Sequence, residues 1–169
     1  MKKIAIAVLL SAFVAAPAVA ADTGGYVGVN VGSAKIDSPG FDTTTSFGVL
    51  GGYSFNQNLA AEVGYTNFGS KDYGLGFTVK SSAFSVSGVG SYPFNEQFSV
   101  FAKLGIASTT SEATGFSSTS KSDLTYGIGG QFNVNKQVGI RLGYDVYKLS
   151  DSVVTVDQKN TSIGVVFKF

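Results

Sequence analysis

From Gly25 onward the chain alternates large apolar residues with small or polar ones at a period of two, and it does so in eight separate runs. The runs are roughly 25–34, 45–55, 59–69, 79–92, 98–108, 123–133, 137–148 and 160–169. Period two marks a strand with two unlike faces, and no run keeps a helical period. In the second run Phe47, Val49, Gly51, Tyr53 and Phe55 alternate with Ser46, Gly48, Leu50, Gly52 and Ser54. In the fifth, Phe98, Val100, Ala102, Leu104 and Ile106 alternate with Ser99, Phe101, Lys103, Gly105 and Ala107. The seventh sets Ile140, Leu142 and Tyr144 against Arg141, Gly143 and Asp145, and the eighth sets Ile163, Val165, Phe167 and Phe169 against Ser162, Gly164, Val166 and Lys168. One face is large and apolar. The other is Gly, Ser and isolated charges.

The connections also alternate. "NQN", "PFNEQ" and "NVNK" are short and turn-like, whereas "KIDSPGFDTT", "SKDYGLGFT", "STTSEATGFSSTSKS" and "LSDSVVTVDQK" are long and polar. An even number of strands of about ten residues, with short turns at one end and long loops at the other, predicts an all-β, eight-stranded antiparallel up-and-down transmembrane β-barrel. Closure removes the sheet edges, so the first strand must pair with the last.

A soluble ligand-carrying barrel would show the same alternation with its faces reversed. Two features argue against it. A water-facing exterior would carry many Lys and Glu, but the polar face here holds single charges between glycines. Aromatics on the apolar face also form two bands, as in the girdles of a lipid-facing barrel. Tyr53, Phe55, Tyr92, Phe94, Phe98, Phe132 and Phe169 lie towards the short turns, and Phe47, Tyr65, Phe84, Tyr126 and Tyr144 towards the long loops.

Composition agrees. Charged residues make up 14% of the 169, against about 25% in soluble domains. "MKK", the apolar "IAIAVLLSAFVAA" and the small-residue "AVA" read as a secretory signal peptide over residues 1–21, cut after Ala20 or Ala21, with the barrel domain over 22–169. The apolar run is too short for a spanning anchor, and no later run reaches the length of a transmembrane helix. Losing Lys2 and Lys3 leaves ten Lys and Arg against eleven Asp and Glu, which gives no footprint for nucleic acid. No Cys is present, so an exported disulfide scaffold is excluded.

"GGYSFNQNLAAEVGYTNFG", "YPFNEQFSVFAKLGIA" and the closing "GVVFKF" resemble the transmembrane domain of the OmpA-like outer-membrane family, over essentially all of Gly24 to Phe169. The resemblance implies a Gram-negative outer-membrane location with both termini in the periplasm. It also implies that Phe169, with Phe167, Val165 and Ile163, carries the signal read by the barrel-assembly machinery. The chain ends at its eighth strand, so a C-terminal peptidoglycan-binding domain is not expected.

Parity points Glu62, Lys103 and Arg141 inward, each near the middle of its strand, with Asp145 on the same face as Arg141. An eight-stranded barrel is just wide enough for side chains to fill. Buried charges are costly unless closely paired, and the planar fork of the only arginine suits a carboxylate. These four residues are therefore expected to form a lumen ion-pair network, as the resemblance also implies. It would act as a plug or as a gate that opens to pass ions.

Catalysis is not expected. The chain has no His to activate its serines, and its carboxylates are scattered. No cofactor or metal is expected: there is no His or Cys, and Asp37, Asp42, Asp72, Asp151 and Asp157 lack calcium-loop spacing. "GIGGQF" and "GYGLGF" precede no helix that could cradle phosphate, and "NTS" at Asn160 is a chance acceptor sequence. The long loops read as solvated connectors or as a surface for host or phage molecules, with Phe41, Tyr73, Phe77 and Phe116 as the expected contacts. The resulting expectation is a monomeric structural barrel in outer-membrane lipid. A narrow ion or small-solute channel is the alternative.

Overall fold

The computed structural model describes residues 23–36, 43–72, 78–113, 119–150 and 155–169. The leader at 1–21 and the loop aromatics Phe41, Tyr73, Phe77 and Phe116 lie outside them. The eight strands are β1 (Gly24–Ile36), β2 (Thr44–Ser54), β3 (Leu59–Asp72), β4 (Thr78–Pro93), β5 (Phe98–Ala113), β6 (Thr119–Asn133), β7 (Val138–Ser150) and β8 (Thr155–Lys168). Each pairs antiparallel with the next, and β8 closes on β1 from Tyr26↔Lys168 to Ile36↔Gln158.

Strands reach further towards the long connections than the alternation indicates. Ser108–Ala113 and Thr119–Ser122, read from the sequence as connector, continue β5 and β6 and pair as far as Ser111↔Thr119. The alternation fades there in the sequence, while the backbone ladder continues regardless.

Paired residues followed round the barrel run from Tyr26 through Gly52, Glu62, Ser87, Gly105, Thr125, Tyr147 and Gln158, and return at Ile36. That offset is ten residues along β1. With standard strand spacings it sets a tilt of roughly 40°, within the range that closes a narrow barrel.

The apolar face is the outside. Leu104, Ile106, Ile128 and Leu142 are 57–64% exposed, a cost that only lipid removes. Every aromatic assigned to the two bands is exposed, except Phe169, which is half-covered and lays its ring over Gly25.

The three short turns repeat one device. Asn56, Asn95 and Asn135 each turn a side-chain oxygen onto the backbone N–H groups two and three residues on, at 2.7–2.9 Å. Phe55, Phe94 and Val134 each donate a backbone N–H to the first residue of the next strand at 2.9 Å. Near the other end, β3 carries a bulge between Asn67 and Ser70, so that Phe68 and Gly69 together oppose Ser81. Gly69 has φ +80° and the Asn67 side chain accepts its N–H at 2.8 Å. A side chain at this φ would be strained, and its Cβ would meet the Thr45 carbonyl at 2.7 Å.

Candidate functional site in the lumen

The tilt brings four inward-facing positions from three alternate strands to overlapping heights in the lumen. Glu62 projects from β3, Lys103 from β5, and Arg141 and Asp145 from β7. Arg141 Nη1 donates to Glu62 Oε2 at 2.6 Å. Lys103 Nζ lies 2.7 Å from Asp145 Oδ1 and 3.6 Å from Glu62 Oε1. Glu62, Asp145 and Arg141 are all buried, at 4, 7 and 8% exposure. Two cations thus face two carboxylates in a layer with no net charge. All four expected side chains come together.

Two aromatic partners join them. The Tyr26 hydroxyl donates to Glu62 Oε2 at 3.1 Å. The Phe101 ring lies under the Arg141 guanidinium, 4.0 Å from its centroid, with Lys103 Nζ 6.0 Å away. Cation–π attraction strengthens where water is excluded, so the ring adds to the support that Arg141 receives from Glu62. Tyr26 is not among the residues expected from the sequence, although the alternation in "GGYVGVNVG" is the signal that places it on the inner face of β1.

The lumen glycines explain how such bulk fits. Gly52, Gly129 and Gly127 stand directly opposite Tyr26, Phe101 and Asp145 on the neighbouring strands. A Cβ at each would overlap that same Tyr26, Phe101 or Asp145 side chain. Glycine beside a large residue therefore reads as a complementary pair across the ladder.

Towards the long-loop end the lumen changes character. Phe68 packs edge-on to Tyr147 at 5.1 Å between centroids, with Ala34, Ala83 and Ala107 completing a buried cluster. The Tyr147 hydroxyl is 3.4 Å from Thr66 Oγ1. The sequence does not announce this layer, because Phe68 and Tyr147 are far apart in the chain and meet only through the register of the barrel. Asn160 is 2% exposed and accepts from Ser46 Oγ at 2.6 Å, so its side chain is held inside the barrel.

Chemically the site is neutralised and filled. A cavity of about 30 Å³ lies there, lined by Asn30, Lys103, Arg141, Asp145 and Ser162 among others, far below the several hundred Å³ of a cofactor pocket. Among the described residues no group of His, Cys, Asp and Glu could hold a metal ion.

A closed antiparallel barrel with a lipid-facing outside and a packed polar inside defines a small outer-membrane protein. The chain belongs to the outer membrane protein beta-barrel domain family, which matches residues 4–169. Its place is the outer membrane of the Gram-negative envelope. Comparison with the curated proteins gives no match. Among solved structures the chain is similar to neisserial surface protein A, with 21% identity, TM-score 0.72, and coverage of 86% of this chain and 97% of that one. It is also similar to the attachment invasion locus protein Ail of Yersinia pestis, solved with the heparin analogue sucrose octasulfate, with 20% identity, TM-score 0.67, and coverage of 88% and 99%. OprG of Pseudomonas aeruginosa shares 16% identity at TM-score 0.61, with coverage of 90% and 99%. Likeness at these identities establishes the fold.

Proposed function

We propose that this protein is a closed, non-catalytic barrel that supports envelope integrity and offers its long-loop end to surface molecules. The filled lumen carries the reading: Glu62, Arg141, Lys103, Asp145, Tyr26 and Phe101 occupy the cross-section and leave no room for a solute of metabolite size. The surface role draws support from Ail, a barrel of similar fold solved with a sulfated ligand. Phe41, Tyr73, Phe77 and Phe116 are the proposed contacts. In outer-membrane lipid the protein works as a monomer, delivered by the assembly machinery through Phe169, Phe167, Val165 and Ile163. A deletion strain tests the whole. Detergent sensitivity and loss of adhesion, both restored by the intact gene, support the proposal. If loop-deleted copies restore detergent resistance but not adhesion, the two roles separate. Unchanged resistance and adhesion overturn it.

One observation favours a second reading, a narrow channel. Lys103 stands between two carboxylates, so it can exchange partners without leaving the site. Planar-bilayer recording discriminates: conductance steps that respond to Glu62 substitution support a gate, and a silent bilayer supports the plug.

A further inference from the structure

Arg141 is buried, yet its Nε has no hydrogen-bond partner, and neither has the buried Oδ1 of Asn30. Unpaired buried polar atoms are rare and call for an explanation. Both residues line the one cavity described in the charged layer. Its volume of about 30 Å³ has room for about two water molecules. The occupant must accept from the Arg141 Nε–H and donate to Asn30 Oδ1. The surrounding charges already balance, so an ion would leave net charge uncompensated. Water meets each condition.

The aromatic cluster stands over this cavity. Phe68 lies six residues beyond Glu62 on β3, about 15 Å higher along the barrel axis at this tilt. Tyr147 lies one inward step above Asp145 on β7. The Asn67–Gly69 bulge fixes Phe68 in place, 2% exposed. Apolar constrictions resist wetting.

We propose that the charged layer contains a bound-water site between Arg141 Nε and Asn30 Oδ1, and that the Phe68–Tyr147 layer seals this site from external solvent. The barrier on the loop side is then the aromatic layer, and the ion pairs below it work beside bound water. This goes beyond the structural role, because the barrel could support the envelope with either layer as its seal.

The chain has a single arginine, so its side-chain Nε–H gives one nuclear magnetic resonance signal. The full barrel in micelles should show a cross-peak from that proton to water, together with slow exchange. Phe68→Ala and Tyr147→Ala should each speed exchange by about tenfold or more, while the heat-shifted gel mobility of a folded barrel is retained; either folded variant suffices. Phe68→Leu, which keeps apolar bulk, should stay near wild type. A wild-type Nε–H without a water cross-peak, or one exchanging as fast as free arginine, overturns the proposal. So does unchanged exchange in a folded Phe68→Ala or Tyr147→Ala barrel.

Discussion

Arg141 and Glu62, 79 residues apart in the chain, meet across the lumen at 2.6 Å, each nearly stripped of solvent. Removing one partner from such a pair strands the other charge, which is commonly worse than removing both. Glu62→Ala takes from Arg141 its carboxylate partner and leaves Tyr26 without an acceptor. The expected loss in urea unfolding is about 3–5 kcal/mol. Glu62→Gln combined with Arg141→Gln should recover part of that loss. A double variant less stable than Glu62→Ala alone would show that the pair contributes more than it costs to bury.

Gly52 is the counterpart of Tyr26, and its lack of a side chain is a packing requirement. Gly52→Val puts methyls where the Tyr26 ring lies and should cost about 1–3 kcal/mol by overpacking. Gly90, on the lipid face of β4, has nothing within 4 Å of an added Cβ. Gly90→Ala is therefore expected to stay within about 0.5 kcal/mol of wild type. Thermal unfolding of the two variants side by side tests the distinction. Equal effects would refute it.

Much of the architecture was legible beforehand, for a definite reason. A lipid outside and a narrow packed inside force opposite demands on adjacent residues, so Leu104 and Lys103 betray their faces without any knowledge of neighbours. Closure of β1 on β8 followed from the need to satisfy every backbone group. What stayed hidden depends on register. Whether Tyr26 reaches Glu62, or Phe68 reaches Tyr147, is set by the ten-residue offset round the barrel, which no single strand reveals. Strand ends were hidden too, because the ladder at Ser111↔Thr119 outlasts the alternation that announced it.

Asn95 closes the β4–β5 turn by accepting two backbone N–H groups, those of Gln97 and Phe98, at 2.9 and 2.7 Å. Asn95→Ala removes both hydrogen bonds at once in an exposed turn, where water replaces them only in part. The expected cost is about 1 kcal/mol, similar to the loss of a helix cap. Asn95→Asp keeps the acceptor oxygen and should retain most of the stability. Refolding from urea into lipid vesicles reads both. If Asn95→Ala and Asn95→Asp behave alike, the side-chain oxygen contributes nothing to the turn.

Lys103 and Leu104 are chain neighbours that meet opposite environments. Lys103 ends on Asp145 inside the barrel, whereas Leu104 is 61% exposed on the outer wall near mid-strand. Leu104→Arg would place a charge in hydrocarbon near the bilayer midplane, where the cost is about 2–4 kcal/mol. Phe132→Arg, in the band near the short turns, lies at the interface and should cost about 0–1 kcal/mol. Depth alone separates these two sites, since both face lipid and neither has a lumen partner. Unfolding free energies measured in the same lipid should therefore rank Leu104→Arg well below Phe132→Arg. Equal losses would mean that the hydrocarbon band is not centred where the two aromatic girdles place it.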